Sequence, residues 1–306
     1  MNIIFGPIHS RRFGKSLGID LSPSKKQCNY DCIYCELNPA ETMSSYTDIL
    51  PVDDILKAIK KSLHTHSDID VLTITANGEP TLYPHLLELI QGIDNIKGDT
   101  KTLILSNGST ILEPKVREAL LLIDTVKLSL DCATQKCIKK IDRVDSSVSL
   151  DNIKQGMLKF SSLTENPLII EILVVEGIND KPKEIEELNR FLLKLNPNRV
   201  DLGTIDRPPA YRVKSVSYDR LRELSLLFDP SLSVHITQRK VVEASPSYYT
   251  KEEIMGTIKK RPLTKDDIDI LFDNKTKQNL SQLVLDGHMV MVDNNGVEFY
   301  KINITI

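Results

Sequence analysis

No apolar stretch in this chain approaches the roughly 18 residues that a membrane-spanning helix needs. Met1 to Ser16 also lacks a signal-peptide core. Neither a membrane span nor secretion is expected, which leaves the cytoplasm as the expected location. Cysteine is scarce: there are five among 306 residues, three of them in one short stretch. That is no disulfide scaffold, and it points to a reducing compartment. A surplus of positive charge is missing as well. With 39 Lys and Arg against 42 Asp and Glu, the net charge is −3, which argues against broad, nonspecific binding to a phosphate backbone. What the chain does have is length, enough for one barrel-sized domain and a small appendage.

The rest is organised around Cys28-Asn29-Tyr30-Asp31-Cys32-Ile33-Tyr34-Cys35. Three thiols spaced three and then two residues apart suit a soft metal. A closed zinc site wants four ligands, whereas a four-iron cluster on three thiolates keeps one iron open for chemistry. A zinc knuckle that borrows a distant fourth ligand is the alternative. The spacing, with an aromatic residue just before the last cysteine, resembles the radical S-adenosylmethionine (radical SAM) superfamily. The resemblance implies a [4Fe-4S] cluster on Cys28, Cys32 and Cys35, with SAM chelated to the open iron. It also implies reductive cleavage of SAM to methionine and a 5′-deoxyadenosyl radical that abstracts hydrogen from a substrate, with Tyr34 on the adenine side. The cofactors would carry the chemistry and the protein would position them.

Downstream, apolar β-branched runs alternate with amphipathic stretches. Gly18 to Leu21 reads as a first strand that feeds the cysteine loop, and Ile69 to Ala76 as a second, ending in Asn77-Gly78-Glu79-Pro80. That tetrapeptide resembles the superfamily's Gly-Gly-Glu-Pro motif, with Asn77 in place of the first glycine. Glu79 would then receive the SAM amino group. Strands at Lys101 to Ser106 and Thr125 to Leu130 end in Ser106-Asn107 and in Ser129 and Asp131, positions that the resemblance assigns to the SAM carboxylate and ribose. Each of these polar residues also suits a cap or turn. Cys132 and Cys137 are too few for a second cluster and read as free thiols. Glu171, inside an otherwise apolar strand, is expected to face a barrel interior or to be paired in the core.

The strand-helix order predicts an α/β fold with a parallel sheet, and the resemblance implies a partial (β/α)6 radical SAM barrel. Two loops stand apart. Phe5 to Lys15, with paired Arg11 and Arg12, reads as an ordered loop suited to a phosphate or carboxylate. Asp206-Arg207-Pro208-Pro209-Ala210-Tyr211-Arg212-Val213 reads as a stiff loop that could close over a site. From about Ala244 the rhythm changes to three short helices and a hairpin turning at Asn-Gly. The expected division is therefore residues 1–243 as core and 244–306 as a small winged-helix-like domain. From Lys251 onward eight basic residues face nine acidic ones, so a packing or protein-binding role is expected for it rather than nucleic-acid binding.

The Gly-Pro and Ser-Arg-Arg start and the Arg-Pro-Pro loop resemble iron-sulfur oxidoreductases related to the wyosine-tRNA enzymes. That makes tRNA a candidate substrate beside a peptide or protein, and flavodoxin or ferredoxin a candidate electron donor. A second class remains open, a noncatalytic metal-stabilised adapter that binds nucleic acid. No residue stands out as a catalytic acid or base.

Overall fold

The predicted alternation takes the form of one eight-stranded sheet in the computed structural model, which describes residues 3–10, 13–66, 68–237, 246–294 and 296–303. A hairpin of β1 (Ile4–Ser10) and β2 (Gly14–Asp20) opens the chain. This corrects the expected loop over Phe5 to Lys15: its glycines and Pro7 sit within or beside strands, Gly6 and Gly14 at positive φ. Arg11 and Arg12 lie outside the described residues. The cysteine loop follows, then α1 (Val52–Thr65), β3 (Val71–Thr75), a 3-10 turn at Pro80–Leu82, and α2 (Leu86–Asp94). Next come β4 (Lys101–Ser106), α3 (Pro114–Leu121), β5 (Thr125–Ser129), α4 (Gln135–Ile141) and α5 (Leu150–Ser161). The core ends with β6 (Leu168–Val174), α6 (Pro182–Leu195), β7 (Arg199–Thr204), α7 (Tyr218–Ser225) and the short β8 (Val234–Ile236).

Strand order in the sheet is the order in the chain, with β2 through β8 all parallel. Such a sheet needs helical crossovers that cover it. Helix faces such as Ile185, Leu188, Phe191, Leu192 and Leu195 of α6 are accordingly buried in the main core, with outward strand residues such as Val126, Leu128, Ile170 and Ile172. Pro182 starts α6 where its missing N–H costs nothing, and Asn196 closes it in the left-handed region at φ 50°.

The other strand face is polar. Lys127 is one residue out of phase with its buried apolar neighbours and lies on the opposite face. Its Nζ is 2.5 Å from Glu171 Oε1 and 3.2 Å from Asp201 Oδ2, and Arg199 Nε is 3.0 Å from Asp201 Oδ1. Glu171 is thus both paired and turned inward, on a face that an apolar parallel strand would not supply.

Asp124, just before β5, ties two strands together. Its Oδ2 accepts the Thr102 backbone N–H at 2.9 Å and the Thr102 hydroxyl at 2.8 Å, and Lys97 and Lys101 lie within 3.4 Å. Burial opposes its charge, but the Thr102 donors and the two lysines outweigh it and hold the carboxyl down at about 2, below the ordinary 3.8. A group lowered on folding contributes stability above its unfolded pKa and loses it as pH falls through the folded one. The gap in urea midpoint between wild type and Asp124→Asn is therefore expected to be full at pH 5 and to shrink between about pH 4 and pH 2. A pH-independent gap would contradict the assignment.

The C-terminal stretch has its own core, built from Ile254, Ile258, Leu263, Ile268, Leu280 and Phe299 among others. Its order is α8 (Lys251–Lys260), β9 (Leu263–Thr264), α9 (Lys265–Leu271), α10 (Asn274–Leu285), β10 (Met289–Asn294) and β11 (Val297–Ile302). Reciprocal capping by Thr250 with Glu253 and by Thr264 with Asp267 sets the first two helix starts. The two-residue β9, not foreseen from the sequence, pairs with β11 and makes the hairpin a three-stranded sheet. The expected boundary near residue 244, and Asn295 at the hairpin turn, lie outside the described residues.

Candidate active site

The carboxyl ends of the parallel strands converge on one partly open cavity of about 210 Å³. Cys28, Cys32 and Cys35 line it together with Gly78, Glu79, Ser106, Asn107, Ser129 and Asp131, and Lys127 and Glu171 belong to the same lining. A site beyond strand carboxyl ends is where α/β folds place their chemistry. Of the residues read from the sequence, only Asn77 and Pro80 stay out of the lining.

The cysteine loop is held by backbone on three sides. Asp31 and Ile33 donate their N–H groups to the carbonyls of Asp142 and Ile141, Asp145 N–H donates to Asn29, and Ala210 N–H donates to Cys35 at 2.9 Å. The loop with paired prolines therefore packs on the cysteine loop, as its stiffness suggested. Its Tyr211 hydroxyl donates to Asp31, and Arg143 lies 4.2 Å above the Tyr211 ring and 3.6 Å from the same carboxylate. Lys26 Nζ is 3.2 Å from Asp31 as well. Burial works against the Lys26 charge, but the attraction of Cys35 and Asp31 outweighs it and raises its pKa.

Gly78 joins this loop to the turn after β3. Gln27 N–H donates to Asn77 C=O at 2.8 Å and Glu79 N–H donates to Gln27 C=O at 2.9 Å, so the two segments bridge one residue before Cys28. Asn77 works through its backbone, behind the cavity. Glu79 is 2% exposed and accepts four hydrogen bonds: the Thr81 N–H, the Thr81 and Ser106 hydroxyls, and at 2.7 Å the Asn107 N–H. Burial raises its pKa against the pull of these donors. Glu79 is thus the knot that ties the β3 and β4 ends together, and only part of its acceptor capacity remains for a ligand. Glu79→Gln turns a donor toward groups that already donate. It is expected to destabilise the ligand-free protein by about 2 to 3 kcal/mol, from the charge-assisted bonds lost and a buried donor left unpaired. Urea unfolding measures this, and a midpoint equal to wild type would refute it.

Asn107 reaches Asn29 at 2.9 Å and comes within 4.0 Å of Cys28 Sγ, which places it at the cysteine side. Asp131 lines the same cavity and is 3% exposed. Its Oδ1 accepts the Leu173 N–H at 2.7 Å and its Oδ2 accepts from the Tyr34 hydroxyl, which is also 3.3 Å from Asp142. Burial raises both carboxyls, and their mutual repulsion adds to the effect on Asp142. Tyr34 thus presents its hydroxyl to an acidic pair. Asp142 was not foreseen, because α4 carries no strong apolar period. Lys127 was also missed, although a charged residue in a buried strand beside Glu171 is a usable signal.

Cys132 and Cys137 correct the reading as free thiols: a disulfide joins them across five positions. The turn into α4 brings their Cα atoms to 5.6 Å, within disulfide reach. Glu184 brings a carboxylate oxygen within 4.8 Å of both sulfurs, but sulfurs bonded to each other are not thiolate ligands, and the three loop cysteines form no group that tight. The three loop thiols are spread more widely than one ion requires. Such a spread around an open cavity fits a multi-iron cluster with one iron facing inward. Burial pushes the Cys28 thiol up to about 12 and raises Cys32 and Cys35 too, so iron must displace their protons on binding.

Comparison with known proteins agrees with this geometry. The model of the radical SAM superfamily matches residues 23–192. A protein of Helicobacter pylori (strain ATCC 700392 / 26695) named UPF0026 protein is 42% identical over 300 residues, covering 97% of each chain. A solved radical SAM methyltransferase from Sphaerobacter thermophilus superposes with a TM-score of 0.57 at 13% identity, over 72% of this chain and 66% of that one. Streptococcus suis SuiB bound to S-adenosylmethionine gives 0.52 at 18% identity, over 72% and 48%. With its cysteine loop, its parallel sheet and a family match over more than half its length, the chain belongs to the radical SAM superfamily, enzymes that use a [4Fe-4S] cluster and SAM.

Proposed function

We propose that Cys28, Cys32 and Cys35 would hold a [4Fe-4S] cluster, and that the other residues lining the cavity would hold SAM for hydrogen abstraction from a substrate. The single observation that carries this reading is the set of three half-buried thiols that line one cavity together with Glu79, Asn107 and Asp131. The bound cofactors would supply one electron and a 5′-deoxyadenosyl radical. The chain's own work is positional. Glu79 would take the SAM amino group on its remaining acceptor site, and Ser106 and Asn107 would face the methionine end. Ser129 and Asp131 would face the ribose and Tyr34 the adenine, while Gly78 and Pro80 shape the turn that aims Glu79. Lys127 and Glu171, below them, remain for the substrate side.

The substrate we propose to test is tRNA or a peptide, with flavodoxin or ferredoxin as electron donor. In this reading the protein works in the cytoplasm; among the described residues no helix is long and apolar enough to cross a membrane. The helix, strand, two helices and hairpin after residue 250 follow a winged-helix order, and residues 244–306 are proposed as a separate winged-helix-like domain for packing or protein binding. The adapter reading requires one zinc ion on these thiols, which their spread does not favour.

The deciding experiment is anaerobic reconstitution with iron and sulfide, then reduction with SAM present and quantitation of 5′-deoxyadenosine, while deuterium transfer is followed from labelled tRNA or peptide pools. Accumulation of 5′-deoxyadenosine supports the enzyme reading. A protein that takes up zinc, rejects the cluster and binds nucleic acid in a salt-dependent way would establish the adapter.

A further inference from the structure

We propose that Lys260, on the C-terminal unit, positions the Asn77–Glu79 turn of the SAM site through the buried carboxylate of Asp20. This rests on the functional reading above and extends it, since it makes the C-terminal unit a working part of the site and not only an attachment.

Asp20 ends β2 and is fully buried. Its Oδ1 accepts two backbone N–H groups, Ser22 at 2.9 Å and Asn77 at 2.7 Å. Asn77 begins the turn that carries Gly78 and Glu79, and Ser22 begins the run into the cysteine loop, where its hydroxyl accepts from Gln27 Nε2 at 2.8 Å. Gln27 is bridged to Asn77 and Glu79 through its backbone. One carboxylate therefore fixes the starting points of both walls of the cavity. Its second oxygen faces Lys260 Nζ, which comes from the last turn of α8 with a side chain only 8% exposed.

An ionised carboxylate that accepts two backbone N–H bonds holds them about twice as strongly as a neutral acceptor. Buried without a counter-charge, the same carboxylate is costly and its neighbours relax to find water or a partner. Lys260 supplies that counter-charge from 240 positions away in the chain. The contact is seated by others along the same face. Gly6 N–H donates to the Thr257 hydroxyl at 3.4 Å, and the Tyr249 hydroxyl donates to Pro7 C=O at 2.5 Å. These lie at β1 and do not touch Asp20, so they separate docking of the unit from positioning of the turn.

The test compares Lys260→Met, Lys260→Arg and Tyr249→Phe in the full chain, using two readouts. Backbone amide exchange over residues 76–79 is followed in the ligand-free protein, and SAM half-saturation is read from the EPR signal of the reduced, cluster-loaded protein. Lys260→Met is expected to exchange about tenfold faster at Asn77 and Glu79 and to need about tenfold more SAM, with iron content unchanged, as loss of a charge-assisted contact predicts. Lys260→Arg keeps the charge and is expected to restore most of both. Tyr249→Phe is expected to change neither. If Lys260→Met does not fold, Lys260→Gln is read in its place, and faster exchange at Asn77 is again expected. Unchanged exchange in the Met or Gln variant overturns the proposal, as does an equal effect of Tyr249→Phe. Wild type that loads no cluster would instead defeat the functional reading, while the exchange comparison still decides the role of Lys260.

Discussion

Cys35→Ala protein, reconstituted anaerobically, is expected to carry almost no four-iron cluster and to form no 5′-deoxyadenosine, while its fold survives. The cluster needs three thiolates, and the remaining two cysteines, Cys132 and Cys137, are joined to each other. The fold survives because Cys35 is held by its backbone: its N–H donates to Cys32 C=O at 3.0 Å and its C=O accepts from Ala210. Neither bond needs the sulfur. Iron per chain should fall from about four to well below one, and thermal unfolding of the ligand-free variant should stay within about 1 kcal/mol of wild type. Cys132→Ala is the control. It breaks the disulfide and is expected to leave iron content alone. A Cys35→Ala protein that keeps its cluster colour and SAM cleavage would falsify the ligand assignment.

The second large effect is at Gly78. An added Cβ would lie 1.9 Å from the Gln27 carbonyl oxygen and 2.4 Å from its carbon, at a φ of +139° that side chains seldom adopt. Both obstacles are backbone, so no rotamer change relieves them. Either the Asn77–Glu79 turn or the segment leading to Cys28 has to move. Gly78→Ala is expected to cost about 4 kcal/mol of stability and to lose both iron and SAM binding. Iron content, SAM titration and urea unfolding check this together. Wild-type values in all three would show that the bridge is dispensable. Gly177 gives the contrast, with φ +71° and nothing within 4 Å of an added Cβ. Strain applies there without collision.

Much of this arrangement was legible in the sequence because it rests on short-range signals. The strand at Lys101 to Ser106 falls where its apolar run puts it, and the three helices and hairpin after residue 250 follow in the order that their rhythm predicts. The cysteine spacing and the polar strand ends pointed to residues that line one cavity. What escaped depends on contacts between distant residues. The β1 strand exists because β2 pairs with it, although its own sequence is rich in turn formers. Asp142 becomes part of the site only because Asp31 and Ile33 pair with the backbone beside it. The Cys132–Cys137 bond depends on the turn into α4, and the polar strand face depends on four charges that pair across β5, β6 and β7. Glu79 was found by motif, but its four donors come from two strand ends, and no local rule lists them.

Among the described residues the sheet ends at β1 on one side and β8 on the other, and the fold treats the two edges differently. At one end β8 is only three residues long, too short to offer a useful row of unpaired backbone groups. At the other, β1 is seven residues long, and there α8 of the C-terminal unit packs alongside, with Thr257 taking the Gly6 N–H and Tyr249 reaching the Pro7 carbonyl. A chain cut after Thr237 would retain every residue of the cavity wall and yet leave that edge bare, a template for strand pairing with its neighbours. The C-terminal unit thus covers an edge that would otherwise be open to strand pairing, so solubility constrains its sequence.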